Sequence, residues 1–152
     1  MDFSFTLDQL TPETIATVLN GAYIKTEVVS YNQGEENEYK IAKVTHDGWC
    51  FQIYSGIHSE LTFKAYQTFT DEYDEDRLKK IADYMDSFPI DSTYICKLDN
   101  SSHAMSFHYQ HVLPEDETLS PAYLVKLCRH FTKTLDEQRV NWSSIEQGAL
   151  TS

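Results

Sequence analysis

The sequence predicts an α+β fold in which an antiparallel sheet carries helices packed on one face. Three segments begin with an apolar residue, a capping residue and then Pro or an acid, a pattern typical of helix N-termini; they start at Leu10, Tyr73 and Leu119. The stretches between them are rich in β-branched and aromatic residues, and their apolar positions alternate as in strands. The predicted order of elements is therefore α-β-β-β-β-α-β-β-α.

The first helix and the first two strands occupy the amino-terminal part of this order. The helix is predicted over residues 12–20 and ends at the Asn20-Gly21 pair. Its apolar stripe consists of Ile15, Val18 and Leu19. Strands are predicted over residues 22–30 and 39–46, because a polar loop separates two stretches that contain several β-branched residues. The two strands are expected to pair with each other.

The turn at Asp47-Gly48 is the strongest local signal in the chain. Asp-Gly supplies the two positive-φ positions of a type I′ turn, so a third strand over 49–54 should form a hairpin with the second. A fourth strand is predicted over 61–68. Alternation assigns one set of side chains to the buried face: Trp49, Phe51, Ile53, Leu61, Phe63 and Ala65. It assigns a second set to the opposite face: Gln52, Tyr54, Thr62, Lys64 and Tyr66.

The remaining elements are two helices and a second hairpin. A helix is predicted over 75–88 and strands over 93–98 and 104–112. The last helix is predicted from Pro121 to about Gln138, and its core stripe is Leu124, Leu127, Cys128, Phe131 and Leu135. Residues 1–140 are therefore expected to form a single domain, and residues 141–152 a polar tail.

Composition narrows the classes of partner. The chain has 152 residues, enough for one packed domain, and its 24 acids against 12 Lys and Arg give a formal charge of −12. Such a charge repels phosphate backbones and anionic lipid, so neither nucleic acid nor membrane is expected as a partner. The amino terminus does not resemble a secretory signal and no apolar run is long enough for a membrane span, so a cytoplasmic protein is expected.

The cysteines do not suggest disulfides. Cys50, Cys96 and Cys128 are odd in number and lie among apolar neighbours, which favours buried thiols in a reducing compartment.

No catalytic or metal-binding signature accompanies the fold pattern. Phosphate-binding, nucleophile-elbow and zinc-protease motifs are missing from the sequence, so we expect no enzyme and no cofactor. His103, His108 and His111 cluster in sequence, but His108 and His111 are an odd number of residues apart on a predicted strand and should point to opposite faces. A metal site is therefore not expected.

Tyrosine is the most unusual component of the surface. Ten of the twenty aromatic residues are Tyr, and this side chain combines apolar area with a polar tip. Tyr54 and Tyr66 are candidates for binding a partner protein, and Tyr73, Arg77 and Tyr84 are candidates for self-association. The same tyrosines also suit partly buried positions at the margins of a sheet, so both interpretations stay open.

Four segments carry a resemblance to a known family. They run from Ile41 to Phe51, Tyr73 to Leu78, Tyr94 to Asp99 and Leu119 to Phe131. Together they resemble the YbjN family and, more distantly, the type III secretion chaperone fold, over most of the chain from Thr11 to Gln138. YbjN-like sequences usually have Asn residues near the end of the second helix, where this chain has Asp83-Tyr84-Met85-Asp86-Ser87-Phe88.

The resemblance implies a non-enzymatic regulator that forms a homodimer and binds a polypeptide partner. Two other classes of function remain as alternatives. One is a small-molecule sensor or unrecognised enzyme with a pocket between sheet and helices, which a concave pocket with converging polar groups would favour. The other is an acidic nucleic-acid mimic.

Overall fold

The structure is a computed structural model. It describes residues 3–55, 59–68, 76, 79, 80, 83, 94–99 and 104–149; of residues 67–68, 94–99, 104–105 and 138–149 it describes the backbone only.

The described helices and strands follow the predicted order closely. A short 3₁₀ helix, Leu7–Gln9, precedes helix α1. The elements are α1 (Pro12–Gly21), β1 (Lys25–Tyr31), β2 (Tyr39–His46), β3 (Trp49–Ser55), β4 (Glu60–Thr68), β5 (Tyr94–Asp99), β6 (Ala104–Val112) and α2 (Pro121–Ala149). The helix predicted over 75–88 lies mostly outside the described residues. Four of its positions are described, and each is helical and exposed: Asp76, Lys79, Lys80 and Asp83.

The six strands form one antiparallel sheet in the order β1-β2-β3-β4-β6-β5. The first four strands are therefore a meander, and the second hairpin joins it through β6. The fold class is α+β, as the sequence predicts. None of the described helices is long and apolar enough to cross a membrane.

The β2–β3 turn confirms the strongest local prediction. Asp47 and Gly48 have φ angles of 50° and 81°, and His46 pairs with Trp49 across the turn. Both central residues thus have the positive φ that a type I′ turn requires. The pairing places Phe51 opposite Val44, and both side chains are buried.

One face of the sheet, called here the core face, packs against α1 and α2. All six side chains predicted for this face are buried, and so are all five of the predicted stripe on α2. The Phe131 ring meets Phe51 and Phe63 at centroid distances of 5.1 and 5.7 Å. Trp49 Nε1 donates to Asp136 Oδ1 at 2.8 Å and so connects the start of β3 to α2. The alternation pattern therefore identifies the core correctly.

Side-chain caps begin both described helices as predicted. Thr11 Oγ1 accepts from the Thr14 backbone N–H, and Ser120 Oγ accepts from that of Tyr123. Each cap satisfies one of the backbone donors that an α-helix leaves without an intrahelical partner. The segment before α1 is also held in place, since Phe5 and Leu119 exchange two backbone hydrogen bonds of 2.8 Å.

The end of α1 differs from the prediction. The Tyr23 N–H donates to the Asn20 carbonyl and the Ile24 N–H donates to the Leu19 carbonyl, which is the Schellman pattern. The left-handed position of this motif is usually Gly, but here it is Tyr23, with a φ of 63°. Because this turn occupies residues 22–24, the first strand begins at Lys25 rather than at residue 22.

Two further expectations need correction. The last helix continues to Ala149 instead of ending near Gln138. Residues 141–149, expected to form a polar tail, are therefore helical and continue the same helix. Cys50 was expected to be buried but is exposed, because even-numbered residues of β3 point away from the core face. Cys128 is buried as predicted, and burial raises the pKa of its thiol to about 12.

Candidate functional site

The second face of the sheet, called here the polar face, carries the candidate site. A row of side chains crosses five strands in register: Glu27, Lys43, Gln52, Lys64 and His108. Residues two positions along each strand flank this row on the same face. Tyr54 flanks it on β3 and Tyr66 on β4, so the two tyrosines predicted to bind a partner lie on either side of Lys64.

A cleft of about 740 Å³ lies over this part of the polar face. It extends from Lys64 and Tyr66 to the end of the sheet where the 3₁₀ helix and the first turn of α1 adjoin β2 and β3. The lining residues are Leu7, Asp8, Leu10, Thr11, Pro12, Ile15, Tyr39, Lys40, Ile41, Gln52, Tyr54, Ser55, Lys64 and Tyr66. Both predicted partner-binding tyrosines therefore line one concavity.

Aromatic groups form much of the accessible wall of the cleft. Tyr39 is half exposed and stacks on Tyr31 at a centroid distance of 5.2 Å. Tyr66 is 45% exposed, and Lys64 Nζ lies 4.9 Å from its ring centroid, a cation–π contact. Rings that are already held by neighbours lose little conformational entropy when a ligand packs on them.

An amide and a phenol hydroxyl lie between these rings. Gln52 Nε2 donates to the Tyr31 hydroxyl at a distance of 3.5 Å, which leaves the second N–H of this amide for another acceptor. Burial raises the pKa of Tyr54, while the nearby charge of Lys64 acts in the opposite direction. At neutral pH Tyr54 is therefore a neutral phenol, suited to hydrogen bonding and not to proton abstraction.

At the rim of the cleft, one lysine is paired with a carboxylate. Lys40 Nζ lies 3.4 Å from Glu13 Oε1, so these two exposed groups form an ion pair beside the amino terminus of α1. A hydrogen bond from the backbone N–H of Glu13 lowers the pKa of its carboxyl, and Lys40 lowers it further. In the part of the chain that the structure describes, Lys64 forms no ion pair.

The His, Cys and acidic side chains of the described residues do not cluster as metal ligands do. In the described ranges no group of three or more His, Cys, Asp or Glu side chains is placed to hold a metal ion. His108 lies on the polar face beside Ser106 Oγ at 2.9 Å, whereas the His111 ring contacts Tyr123 of α2 at a centroid distance of 5.6 Å. These two histidines thus point to opposite faces, as predicted.

Of the residues singled out from the sequence, Tyr54 and Tyr66 line the same cleft. Tyr73, Arg77 and Tyr84, the candidates for self-association, lie outside the described residues. The contributions of Tyr39 and of the segment before α1 were missed. No periodic signal marks them, because a 3₁₀ turn and a strand end meet there only through the tertiary fold.

Comparisons of the chain with models of protein families, with curated proteins and with solved structures found no match.

Proposed function

We propose that this protein is a non-enzymatic binding module whose cleft takes a segment of another polypeptide. The observation that carries the proposal is the convergence of Tyr39, Tyr54 and Tyr66 with Gln52 and Lys64 in one concavity on the polar face. Tyrosine rings supply apolar contact area at low entropic cost, and their hydroxyls with the amide of Gln52 supply orientation. This combination is typical of surfaces that recognise polypeptide segments.

The edge of the sheet at β1 supports the same class of function. β1 is an edge strand, and an edge offers backbone N–H and C=O groups to an added strand. Asn20 already occupies both backbone groups of Thr26, with Nδ2 donating to the carbonyl at 2.8 Å and Oδ1 accepting from the N–H at 2.9 Å. Added pairing is thus confined to the part of β1 beyond Thr26.

The proposal also includes the family to which the chain belongs and the formation of a homodimer. The protein is then a YbjN-like regulator with a type III secretion chaperone-like fold that acts as a homodimer in the cytoplasm. The order of the elements described over their full length, α1, four strands, the β5–β6 hairpin and α2, supports this part of the proposal. Light scattering at about ten to a hundred micromolar chain tests the dimer, since a useful dimer persists in that range. A strict monomer there would contradict it.

Peptide selection tests the binding function. A library of random peptides displayed on phage is selected on the wild-type protein, and the enriched peptides are measured by fluorescence anisotropy against two variants. Tyr66→Ala removes a ring from the cleft, and Tyr123→Ala removes an equally exposed ring, 45% in both cases, from the first turn of α2. Circular dichroism establishes that both variants are folded.

The expected result is a difference between the two variants. Loss of an anchoring tyrosine costs about 2 kcal/mol or more, which is roughly a thirtyfold weaker complex with Tyr66→Ala. Tyr123→Ala is expected to bind as the wild type does. A selection without enrichment, or peptides that bind Tyr66→Ala as tightly as the wild type, would overturn the proposal.

A small-molecule sensor is a second candidate, because the cleft volume lies in the range of ligand pockets and its polar groups converge. A panel of small carboxylic acids and phosphates screened by thermal shift tests it. The sensor requires a compound that raises the melting temperature of the wild type and not of Tyr54→Ala. Absence of any such compound would count against this candidate.

A further inference from the structure

The central row of the polar face has a net charge opposite in sign to that of the whole chain. The chain carries −12, but the central row of this face contains two lysines and one glutamate. Glu27 is the direct cross-strand partner of Lys43 in the β1–β2 register, although the two side chains form no ion pair within 4 Å among the described residues. Lys64 is therefore the lysine of this row whose direct cross-strand neighbours include no carboxylate.

The residues directly across from Lys64 carry hydrogen-bonding groups but no carboxylate. Its direct cross-strand neighbours are Gln52 on β3 and His108 on β6. Lys64 is partly buried, its ammonium lies over the Tyr66 ring, and within the described ranges it forms no ion pair. A partly desolvated cation without a carboxylate favours an incoming anion more than a fully exposed cation does.

The donors around this position suit a carboxylate. The Lys64 ammonium, the second N–H of the Gln52 amide and the Tyr54 hydroxyl are all hydrogen-bond donors on the same face. The rings of Tyr54 and Tyr66 lie on either side and supply apolar area for a neighbouring side chain. Asp8 lines the cleft at the amino-terminal end, so a second negative charge is disfavoured there.

We infer that the cleft selects polypeptide segments in which Asp or Glu lies next to an apolar or aromatic residue, with the carboxylate bound at Lys64. This inference rests on the proposed polypeptide-binding function and names the chemistry of the partner. Nucleic acid fits less well, because each nucleotide adds a charge that the net −12 of the chain repels, whereas a peptide needs only one carboxylate.

The test uses the same random library with three forms of the full chain: wild type, Lys64→Met and Lys43→Met. Methionine keeps most of the length of the lysine stem and removes its charge. Lys43→Met is the matched control, because Lys43 is also partly buried on the polar face but has Glu27 opposite. Selected peptides are then synthesised with Glu or Gln at the acidic position.

Three results are expected. Peptides selected on wild type and on Lys43→Met are enriched in Asp or Glu beside an apolar residue, and those selected on Lys64→Met are not. Exchange of Glu for Gln in the peptide weakens binding to wild type about tenfold, as for a charge-assisted hydrogen bond, and leaves binding to Lys64→Met unchanged. Raising the salt concentration from about 50 to about 500 mM weakens the binding of the Glu peptide to wild type more than the binding of the Gln peptide.

The outcomes separate this inference from the proposed function. If peptides bind through Tyr66 but show no acidic preference and no dependence on Lys64, the carboxylate site is refuted and the binding module stands. If no peptide is enriched, both fail. A fluorescent single-stranded oligonucleotide that binds more tightly than the best acidic peptide would also overturn the inference, in favour of a phosphate ligand.

Discussion

Asn20 does for the edge strand β1 what a neighbouring strand would otherwise do. Its side-chain amide donates to the Thr26 carbonyl and accepts from the Thr26 N–H, at 2.8 and 2.9 Å. Thr26 is only 6% exposed, so water has little access to replace these bonds. The substitution Asn20→Ala therefore removes the hydrogen-bond partners of both the N–H and the C=O of this nearly buried residue.

The size of the effect follows from these two bonds. Each contributes about 0.5–1.5 kcal/mol net, so their loss costs about 1–3 kcal/mol. Alanine is a better helix former than asparagine, which returns about 0.5 kcal/mol at this position near the end of α1. The expected loss in the free energy of unfolding is therefore about 0.5–2.5 kcal/mol for Asn20→Ala. Asn20→Asp is also expected to be destabilising, because it keeps the acceptor but directs a second oxygen at the Thr26 carbonyl.

Urea unfolding followed by tryptophan fluorescence measures this difference, with Thr17→Ala as the control. Thr17 is an exposed residue of the same helix, and its hydroxyl donates to the Glu13 carbonyl without crossing to the sheet. Thr17→Ala is expected to stay within about 0.5 kcal/mol of wild type. Hydrogen exchange at the Thr26 amide gives a local readout, since this N–H loses its acceptor. The reasoning is refuted if Asn20→Ala is as stable as Thr17→Ala and the Thr26 amide remains protected.

Three further predictions concern the helix end, the core and the thiols. Tyr23→Gly should raise the free energy of unfolding by about 1 kcal/mol, because Tyr23 has a left-handed φ that glycine adopts without strain. Since Tyr23 is 96% exposed, its removal loses little packing. A variant less stable than the wild type would contradict this prediction. Phe131→Ala should lower it by about 3–5 kcal/mol, because the ring is buried against Phe51 and Phe63; urea unfolding that shows a loss below about 1 kcal/mol would contradict this. Iodoacetamide at about pH 8 should label Cys50 in the native protein and Cys128 only after unfolding. The reason is that the Cys128 thiol is buried and that its pKa of about 12 keeps it protonated. Mass spectrometry of the digested protein distinguishes the two sites.

The parts of the fold that were predictable depend on local rules with a physical cause. Asp47-Gly48 determines the pairing of His46 with Trp49, and from there each residue of β3 has a known partner on β2. Alternation then assigns Phe51 and Ile53 to the core face and Gln52 and Tyr54 to the polar face. The caps at Thr11 and Ser120 are equally local.

The parts that were missed depend on long-range packing. The two backbone hydrogen bonds between Phe5 and Leu119 join segments that are far apart in sequence. Tyr23 in a left-handed conformation contradicts the usual preference for Gly, so no propensity rule indicates it. The cleft shares this origin, because one wall consists of the segment before α1 and the other of the sheet.

The position of Lys64 shows how the core determines the candidate site. A one-residue slip of β4 against β3 would place Lys64 in the core and Phe63 outside, so burial alone determines on which face the lysine lies. A two-residue slip would keep the faces but move Lys64 away from Gln52. The fit of Phe63 against Phe131 and Tyr109, at centroid distances of 5.7 and 5.8 Å, opposes that slip. Packing on the core face therefore sets which donors surround the ammonium on the polar face.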